Sequence, residues 1–323
     1  MFDNVWIGVS ISLLHATPHT QPLPSLPESV GLGYPCAQLH DWLGLSFWLP
    51  PLDTRLKDIH MGLPAPTAPL ENLEGMVRYW TEHPEWMDFL DPNSPTHDDK
   101  MLERALYMKY WGEILHTAKR VLDVGGGVGR LGQTPLQNGA EVQVIEPDLR
   151  SIWRNLSHAI GASGSIDFHW STAEHMPDLG LFDTVLACEV LNYVEDPEKV
   201  VANIHRSLKP GGMLLLSVEA RWGWPMARDV APHTLKSFFD TGIVHVPHDR
   251  WIRTYTEDSI KELLKDFQIT FIERSHYTLS GPFEWAMGDV DIEELFEYEH
   301  RLRTHPISKE LNRAWMVIAQ KPL

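Results

Sequence analysis

A glycine-rich turn that follows a short apolar run is the segment of this sequence best suited to bind a ligand. It lies in VLDVGGGVGRLGQ, where Asp123 precedes Gly125, Gly127 and Gly129. Glycines allow the backbone to approach a ligand closely, and they free the N–H groups at the start of the following helix to bind it. The pattern predicts a site for a nucleotide-like cofactor.

Two classes of cofactor compete for a turn of this kind. Dinucleotides are bound by G-x-G-x-x-G, but the sixth position counted from Gly125 is Arg130, so this pattern fails at the proper offset from the strand. It is met only from Gly127 to Gly132, two residues too late. The form typical of S-adenosylmethionine sites, an acid two residues before G-x-G-x-G, fits in register from Asp123 onward.

The elements that position this turn alternate along the chain. Between residues 120 and 273, helix-length segments separate the apolar runs VLDV, EVQVIE, SIDFHW, FDTVLAC, MLLLSVE and QITFIE. This alternation is typical of an α/β fold with a doubly wound sheet. Asp196 followed by Pro197 marks the start of one intervening helix, because these residues favour the cap and the first helical position.

Taken in order, these motifs resemble the class I S-adenosylmethionine-dependent methyltransferases, and in particular the small-molecule branch similar to the ubiquinone-biosynthesis type. The resemblance covers about residues 100–275, where VQVIEPD, STAEHMP, FDTVLACEVLNYVEDP and RSLKPGGMLLLSVE follow the glycine turn. It implies a Rossmann-like fold with a doubly wound, mostly parallel, seven-stranded sheet. It also implies transfer of a methyl group from the cofactor S-adenosylmethionine to an O, N or S atom of a small-molecule metabolite.

The resemblance further implies which residues bind the cofactor. Glu146, at the tip of the second strand, would hold the ribose, Asp123 would help to fix the ammonium, and the backbone near Cys188 would face the methyl-bearing sulfur. Thr172 stands where relatives commonly carry Asp, so the contact to the adenine amine is lost, weakened or supplied by Glu174. The residues implied to line the cofactor are Asp123, Gly125, Gly127, Gly129, Glu146, Thr172, Ala173 and Cys188.

Methyl transfer from a sulfonium is an in-line displacement, so the protein chiefly aligns the reactants and excludes water. A base is needed when the acceptor carries a proton, most of all for a hydroxyl. Our three candidates are Glu189 and Tyr193 after the fourth strand and His248 farther along the chain. Further candidates are Glu219 after the fifth strand, His233 and His245 in the segment that follows it, and His276 after the sixth strand.

The chain divides into two predicted regions. Residues 1–95 are rich in Pro and Trp and are expected to form an N-terminal extension that covers the methyltransferase domain of residues 96–323. About residues 220–252, here called the lid segment, are rich in Trp, His, Pro and Arg and are predicted to close over the acceptor. The extension either closes the pocket from the other side or forms a homodimer contact.

The net charge of the chain indicates which classes of binding partner are excluded. The 323 residues include 27 Lys and Arg against 44 Asp and Glu, a net charge of −17, and such a surface repels nucleic acid and anionic lipid. We expect no membrane span, because charge interrupts every apolar stretch before about 18 residues. With only Cys36 and Cys188, a reducing cytoplasmic setting is expected. The histidines show no metal-ligand framework, so no metal is expected.

Two rival functions stay open at this point. One is a noncatalytic protein that binds S-adenosylmethionine to regulate or scaffold a partner. The other is an NAD(P)-dependent oxidoreductase, which the offset of the glycines disfavours. Cofactor binding and turnover of an acceptor distinguish the three functions.

Overall fold

The computed structural model describes most of the chain from residue 87 onward, together with one short strand near the N-terminus. The described ranges are 8–11, as backbone alone, 87–228, 230–246, 251–287 and 291–323. The predicted N-terminal extension lies mostly outside them.

Ten strands and eight α-helices are found in the described ranges. The strands are β1 Gly8–Ile11, β2 Arg120–Val124, β3 Glu141–Glu146, β4 Ser165–Trp170, β5 Phe182–Cys188, β6 Leu208–Glu219, β7 Ile243–His245, β8 Trp251–Arg253, β9 Gln268–Ser275 and β10 Ala314–Gln320. The helices are α1 His97–Thr117, α2 Gln133–Gln137, α3 Leu149–Ala159, α4 Pro197–Ser207, α5 Gly223–Met226, α6 Leu235–Thr241, α7 Glu257–Leu263 and α8 Ile292–Thr304.

The central sheet has the strand order β1-β4-β3-β2-β5-β6-β10-β9. The five strands from β4 to β6 pair in parallel, whereas β10 is antiparallel to both β6 and β9. The predicted seven-stranded, mostly parallel, Rossmann-like sheet is therefore confirmed. Strand β1 adds an eighth, antiparallel strand at the β4 edge.

Apolar side chains cover both faces of the sheet, as expected for parallel strands between two helical layers. Successive residues of β2 point to opposite faces, so Leu122 belongs to one core cluster and Val121 to the other. Ile204 of α4 packs in the first cluster and Trp111 of α1 in the second. The helices thus hold the sheet from both sides and leave its strand ends free to carry polar groups.

Local sequence signals fix the start of α4. The Asp196 side chain accepts a hydrogen bond from Lys199 N at 2.8 Å, and Pro197 occupies the first turn. This confirms the helix start predicted from the sequence. The cap satisfies an N–H group that has no partner within the helix.

The predicted lid segment contains α5, α6 and a small hairpin. Strand β7 pairs with β8 in an antiparallel ladder outside the main sheet. Trp224, Val244 and Ile252 form a separate apolar cluster in this region. Residues 229 and 247–250 lie outside the described ranges, and this gap includes His248.

Within the described ranges, no helix has both the length and the apolar composition needed to cross a bilayer.

Candidate functional site

The predicted cofactor residues lie at one edge of the sheet. Asp123 is the penultimate residue of β2, Glu146 ends β3, Cys188 ends β5 and Glu219 ends β6. These strands run parallel and are neighbours in the order β3-β2-β5-β6, so their carboxyl ends meet. Open α/β sheets bind ligands at this edge.

The glycine turn after β2 needs glycine for two different reasons. Gly125, Gly127 and Gly129 have φ angles of +65°, +52° and +96°, in the left-handed region that favours glycine. A Cβ on Gly125 would lie 2.5 Å from Val190 Cγ2, and one on Gly129 would lie 2.6 Å from Asn155 Oδ1. A Cβ on Gly127 would meet only a backbone oxygen at 4.0 Å. Gly127 therefore borders free space, while the other two are required for packing.

Glu146 is buried beside this free space. Its Oε2 accepts a hydrogen bond from Gly127 N at 2.9 Å, and its Oε1 accepts one from Asp148 N at 2.9 Å. Burial raises the pKa of Glu146 to about 7, although the two backbone N–H groups oppose the shift. Each carboxylate oxygen can accept a second bond. The geometry fits a ligand with two adjacent hydroxyl groups, as in a ribose.

Asp123 lies below the glycine turn with its carboxylate against Gly126, whose Cβ would be 3.1 Å from Asp123 Oδ2. Burial raises its pKa to about 7, and the charge of Arg130 acts in the opposite direction. Among the described residues, no group donates a hydrogen bond to this carboxylate. A buried carboxylate in this state gains a partner when an ammonium group binds nearby.

The predicted adenine loop follows β4. The Thr172 hydroxyl lies 3.0 Å from His175 Nδ1, and the buried Ala173 accepts a hydrogen bond through its carbonyl from Asn203 Nδ2 at 3.1 Å. Glu174 Oε1 accepts from Glu195 N at 3.0 Å. The loop is thus fixed by one hydrogen bond within it and by two to Glu195 and Asn203 outside it.

A second group of polar residues, here called the buried charge cluster, consists of Glu103, Arg130, Glu189, Glu219 and Arg313. Arg313 contacts Glu103 at 3.2 Å, Glu189 at 2.9 Å and Glu219 at 3.1 Å. Arg130 contacts Glu103 at 2.8 Å and Glu189 at 3.4 Å. Buried charges are tolerated when they are paired in this way. The cluster connects α1, the glycine turn, the ends of β5 and β6, and the start of β10.

Glu189, a predicted catalytic residue, is held tightly in this cluster. It has a φ of +58°, a strained conformation for a residue with a side chain. Its Oε1 accepts from Tyr107 Oη at 3.0 Å as well as from Arg313. Burial alone would raise the pKa of Glu189, but Arg313 and Arg130 hold it well below the usual range. Glu189 is therefore an ionised, fully engaged carboxylate.

The other carboxylates of the cluster differ in charge state. Burial raises the pKa of Glu219 to about 7 despite its contact with Arg313. For Glu103, burial is outweighed by Lys100 and Arg313, which lower its pKa to about 2. Two carboxylates that share one arginine thus titrate in different pH ranges.

The remaining predicted residues lie around the cluster. Cys188 Sγ accepts from Arg130 Nη2 and from Ser217 Oγ, both at 3.3 Å, and burial raises the pKa of the thiol. Tyr193 is half-buried against the apolar cluster of the lid segment. His248 lies outside the described residues and stays a prediction.

The sequence interpretation missed four residues of this site. Arg130 directly follows Gly129, and a charged residue beside a ligand-binding turn is a usable signal. Glu103 and Tyr107 lie within a helix that otherwise packs on the sheet. Arg313 is 210 residues from Glu103, and no local pattern brings the two together.

A cavity of about 610 Å³ lies between the lid segment and the loop before β10. Trp222, Met226, Leu235 and Phe238 line it from the lid segment, and Leu311 lines it from the loop. Trp222 packs edge to face on Phe238 at 5.4 Å. Trp222, the first residue of the cavity lining, is three residues after Glu219 in the sequence. Its apolar surface suits the hydrophobic part of a small molecule.

Across the described ranges, no three His, Cys, Asp or Glu side chains are grouped so as to hold a metal ion.

Comparisons with known proteins agree with this geometry. A family model described as a methyltransferase domain matches residues 79–273. A ubiquinone biosynthesis O-methyltransferase of Bradyrhizobium sp. (strain ORS 278) is 30% identical over 178 residues, which are 54% of this chain and 68% of that protein. One from Pseudomonas aeruginosa (strain LESB58) is 32% identical over 142 residues. That match covers 43% of this chain and only 57% of the Pseudomonas protein.

Two solved structures share the fold. The [4+2]-cyclase SpnF has a TM-score of 0.52 and 19% identity, covering 80% of this chain and 98% of that one. The 1,6-didemethyltoxoflavin-N1-methyltransferase of Burkholderia thailandensis, solved with 1,6-didemethyltoxoflavin and S-adenosylhomocysteine, has a TM-score of 0.50 and 18% identity. It covers 81% of this chain and 94% of its own. At these identities the likeness concerns the fold.

Proposed function

The chain belongs to the class I S-adenosylmethionine-dependent methyltransferases, and on that premise we propose that it methylates a hydroxyl oxygen of a small molecule. The family model, which spans more than half of the chain, carries the proposal. Two relatives at 30% and 32% identity are both O-methyltransferases by name, which supports oxygen as the acceptor atom. The cofactor is S-adenosylmethionine, in agreement with the register of the glycines after Asp123.

The residues at the strand ends would hold this cofactor. Glu146 would accept hydrogen bonds from the ribose hydroxyls, Asp123 would compensate the ammonium, and the space beside Gly127 would admit the methionine chain. Thr172 and Ala173 would lie beside the adenine. When bound, S-adenosylmethionine supplies a methyl group on a positively charged sulfur together with the leaving group.

The cavity of the lid segment would take the apolar body of the acceptor. Its volume and lining match those of small-molecule sites. Tyr193, which contacts the apolar cluster of the lid segment, would border the acceptor from the β5 side. Glu189 would act mainly by fixing Tyr107 and Arg313, because its low pKa makes it a weak base.

The remaining expectations concern the setting of the enzyme. We propose that residues 96–323 form the methyltransferase domain and that residues 1–95 cover it or form a homodimer contact. The exclusion of nucleic acid as acceptor is supported by the net charge of −17. A cytoplasmic location is supported by the presence of only two cysteines, too few for a disulfide framework.

Calorimetry and mass spectrometry test this function. The purified full chain is titrated with S-adenosylhomocysteine and then incubated with S-adenosylmethionine and a panel of phenols, alcohols, amines and thiols. We expect heat of binding and a methyl ether product. Binding without any product would favour the noncatalytic protein, and products at nitrogen or sulfur alone would exclude oxygen as the acceptor atom.

A further inference from the structure

Several buried polar atoms at the boundary between the buried charge cluster and the lid segment have no partner. They include the Nε atoms of Arg221, Arg253 and Arg313, and two of them, Glu219 Oε2 and Asn192 Nδ2, belong to neighbouring residues. Glu219 N donates to Asn192 Oδ1 at 3.0 Å, which places the two residues side by side. A buried polar atom without a partner is costly, so native proteins rarely leave one without a reason.

Both residues interact with residues in or beside the lid segment. Arg253 N, in β8, donates to Asn192 O at 2.9 Å. The charge of the mostly buried Arg228, also in the lid region, acts on Glu219. Trp222, which lines the apolar cavity, is three residues beyond Glu219 in the sequence. The two unpartnered atoms therefore lie at the end of β6, between the buried charge cluster and the lid segment.

The chemistry of the two atoms defines the group that satisfies both. Glu219 Oε2, when ionised, only accepts a hydrogen bond, whereas Asn192 Nδ2 only donates one. A carboxylate cannot donate to Glu219, and an ammonium cannot accept from Asn192. A neutral hydroxyl does both.

We propose that Glu219 is the general base of the reaction and that Asn192 donates a hydrogen bond to the same acceptor hydroxyl. This inference rests on the proposed function. The hydroxyl proton passes to Glu219 Oε2 while an electron pair of the oxygen forms the bond to the methyl carbon. The electron pair of the broken carbon–sulfur bond stays on sulfur, so charge and atoms balance.

Other candidates for the base fit less well. Both oxygens of Glu189 accept hydrogen bonds from the cluster. His276 is buried with unpartnered ring nitrogens, but burial and Arg313 lower its pKa to about 3. Burial brings the pKa of Glu219 to about 7, which suits a base at neutral pH.

Replacement of Glu219 by glutamine tests the proton transfer. Glu219→Gln retains an oxygen for Arg313 and removes the basic group. We expect kcat to fall about 10²- to 10⁴-fold, with unchanged affinity for S-adenosylhomocysteine. Glu141→Gln, at the opposite end of the sheet, is the matched control and should keep the wild-type kcat. Wild-type kcat in Glu219→Gln would overturn the proposal.

The pH profile gives a second measurement. The charged groups that face Glu219 are Glu103, Glu189, Arg228 and Arg313, and Glu103 and Glu189 are already ionised near neutrality. At saturating S-adenosylmethionine, we expect kcat/KM for the acceptor to rise with pH through about 7 in the wild type and to lose this rise in Glu219→Gln. The same rise in both proteins would exclude Glu219 as the titrating base.

Binding of a plain hydroxyl probe separates this inference from the proposed function. Phenol is titrated into enzyme saturated with S-adenosylhomocysteine, with anisole, which lacks the O–H donor, as the comparison. We expect Glu219→Gln to weaken phenol binding about 10- to 100-fold and to leave anisole binding unchanged. If Glu219→Gln weakened the binding of phenol and anisole equally, or weakened the binding of neither, the proposed site would be contradicted. This would hold even if methyl transfer is observed.

If Glu219→Gln lost phenol binding selectively but the wild type formed no product with any hydroxyl compound, only the proposed function would be contradicted. Asn192→Asp serves as a second variant if Glu219→Gln is unstable, because it keeps the oxygen that accepts from Glu219 N. It should raise KM more than it lowers kcat, since Asn192 binds the oxygen without taking the proton. An unchanged KM would remove Asn192 from the site.

Discussion

The glycine turn and the buried charge cluster lie at the same edge of the sheet but are built in opposite ways. The turn and Glu146 come from adjacent strands and are linked mainly through backbone N–H groups. The cluster joins side chains as far apart in sequence as Glu103 and Arg313 through charge. The comparison teaches that one side of the site depends on backbone geometry and the other on charge pairing.

Gly127→Val should block ligand binding at the glycine turn while leaving the rest of the fold intact. The added side chain would enter the free space beside Gly127, so we expect no detectable heat on titration with S-adenosylhomocysteine. The left-handed φ adds a stability cost of about 1–2 kcal/mol. Gly129→Val, which clashes with Asn155, should instead lose stability severely. Wild-type affinity in Gly127→Val would show that the cofactor lies elsewhere.

Arg313→Met should break the cluster at its centre. It leaves Glu219 without an ion-pair partner, whereas Glu103 and Glu189 keep Arg130, and an unpaired buried charge costs about 3–5 kcal/mol. Urea unfolding followed by circular dichroism measures this loss. Arg301→Met, which removes an exposed ion pair with Glu297, is the control and should barely move the midpoint. Equal midpoints for both variants would mean that the cluster contributes little to stability.

Glu146→Ala should weaken binding of S-adenosylhomocysteine by about 2–4 kcal/mol, the value of two hydrogen bonds to a charged acceptor. Calorimetry measures the change. Glu141→Ala, at the other end of the same strand, should bind as the wild type does. Unchanged affinity in Glu146→Ala would remove this residue from the site.

The smallest expected effect is the pH dependence of that affinity. The free protein has a pKa of about 7 at Glu146, and hydroxyl donors favour the ionised form, so binding releases a proton. Through Glu146, affinity should therefore rise by up to about tenfold per pH unit below pH 7 and level off above it. Glu146→Gln should remove this contribution to the calorimetric affinity and leave the contribution of Asp123, whose pKa is also about 7. An unchanged slope would mean that Glu146 releases no proton on binding.

The residues of the site that could be predicted from the sequence are those marked by local sequence signals. Asp123, the three glycines and Glu146 fall at strand ends because apolar runs and turn residues mark those ends, and the structure places them together at one edge. Their roles toward the cofactor stay predictions until a complex is measured.

The buried charge cluster could not be predicted from sequence patterns, because its members are distant in the sequence. Glu103 sits in a helix whose exposed and buried positions do not follow a clear apolar stripe, and Arg313 pairs with it only after β10 inserts between β6 and β9. The low pKa of Glu189 depends on this pairing, so its charge state was not available from the sequence. Charge pairing over such distances is set by topology.

The placement of β10 also imposes an order of assembly during translation. This strand lies between β6 and β9, although the ribosome makes it after both. The parallel half of the sheet, with the glycine turn, can pair as it emerges, whereas the three glutamates receive Arg313 only once residue 313 has left the exit tunnel. A nascent chain halted before that point would carry the glycine turn beside three glutamates, of which only Glu103 and Glu189 have ion-pair partners.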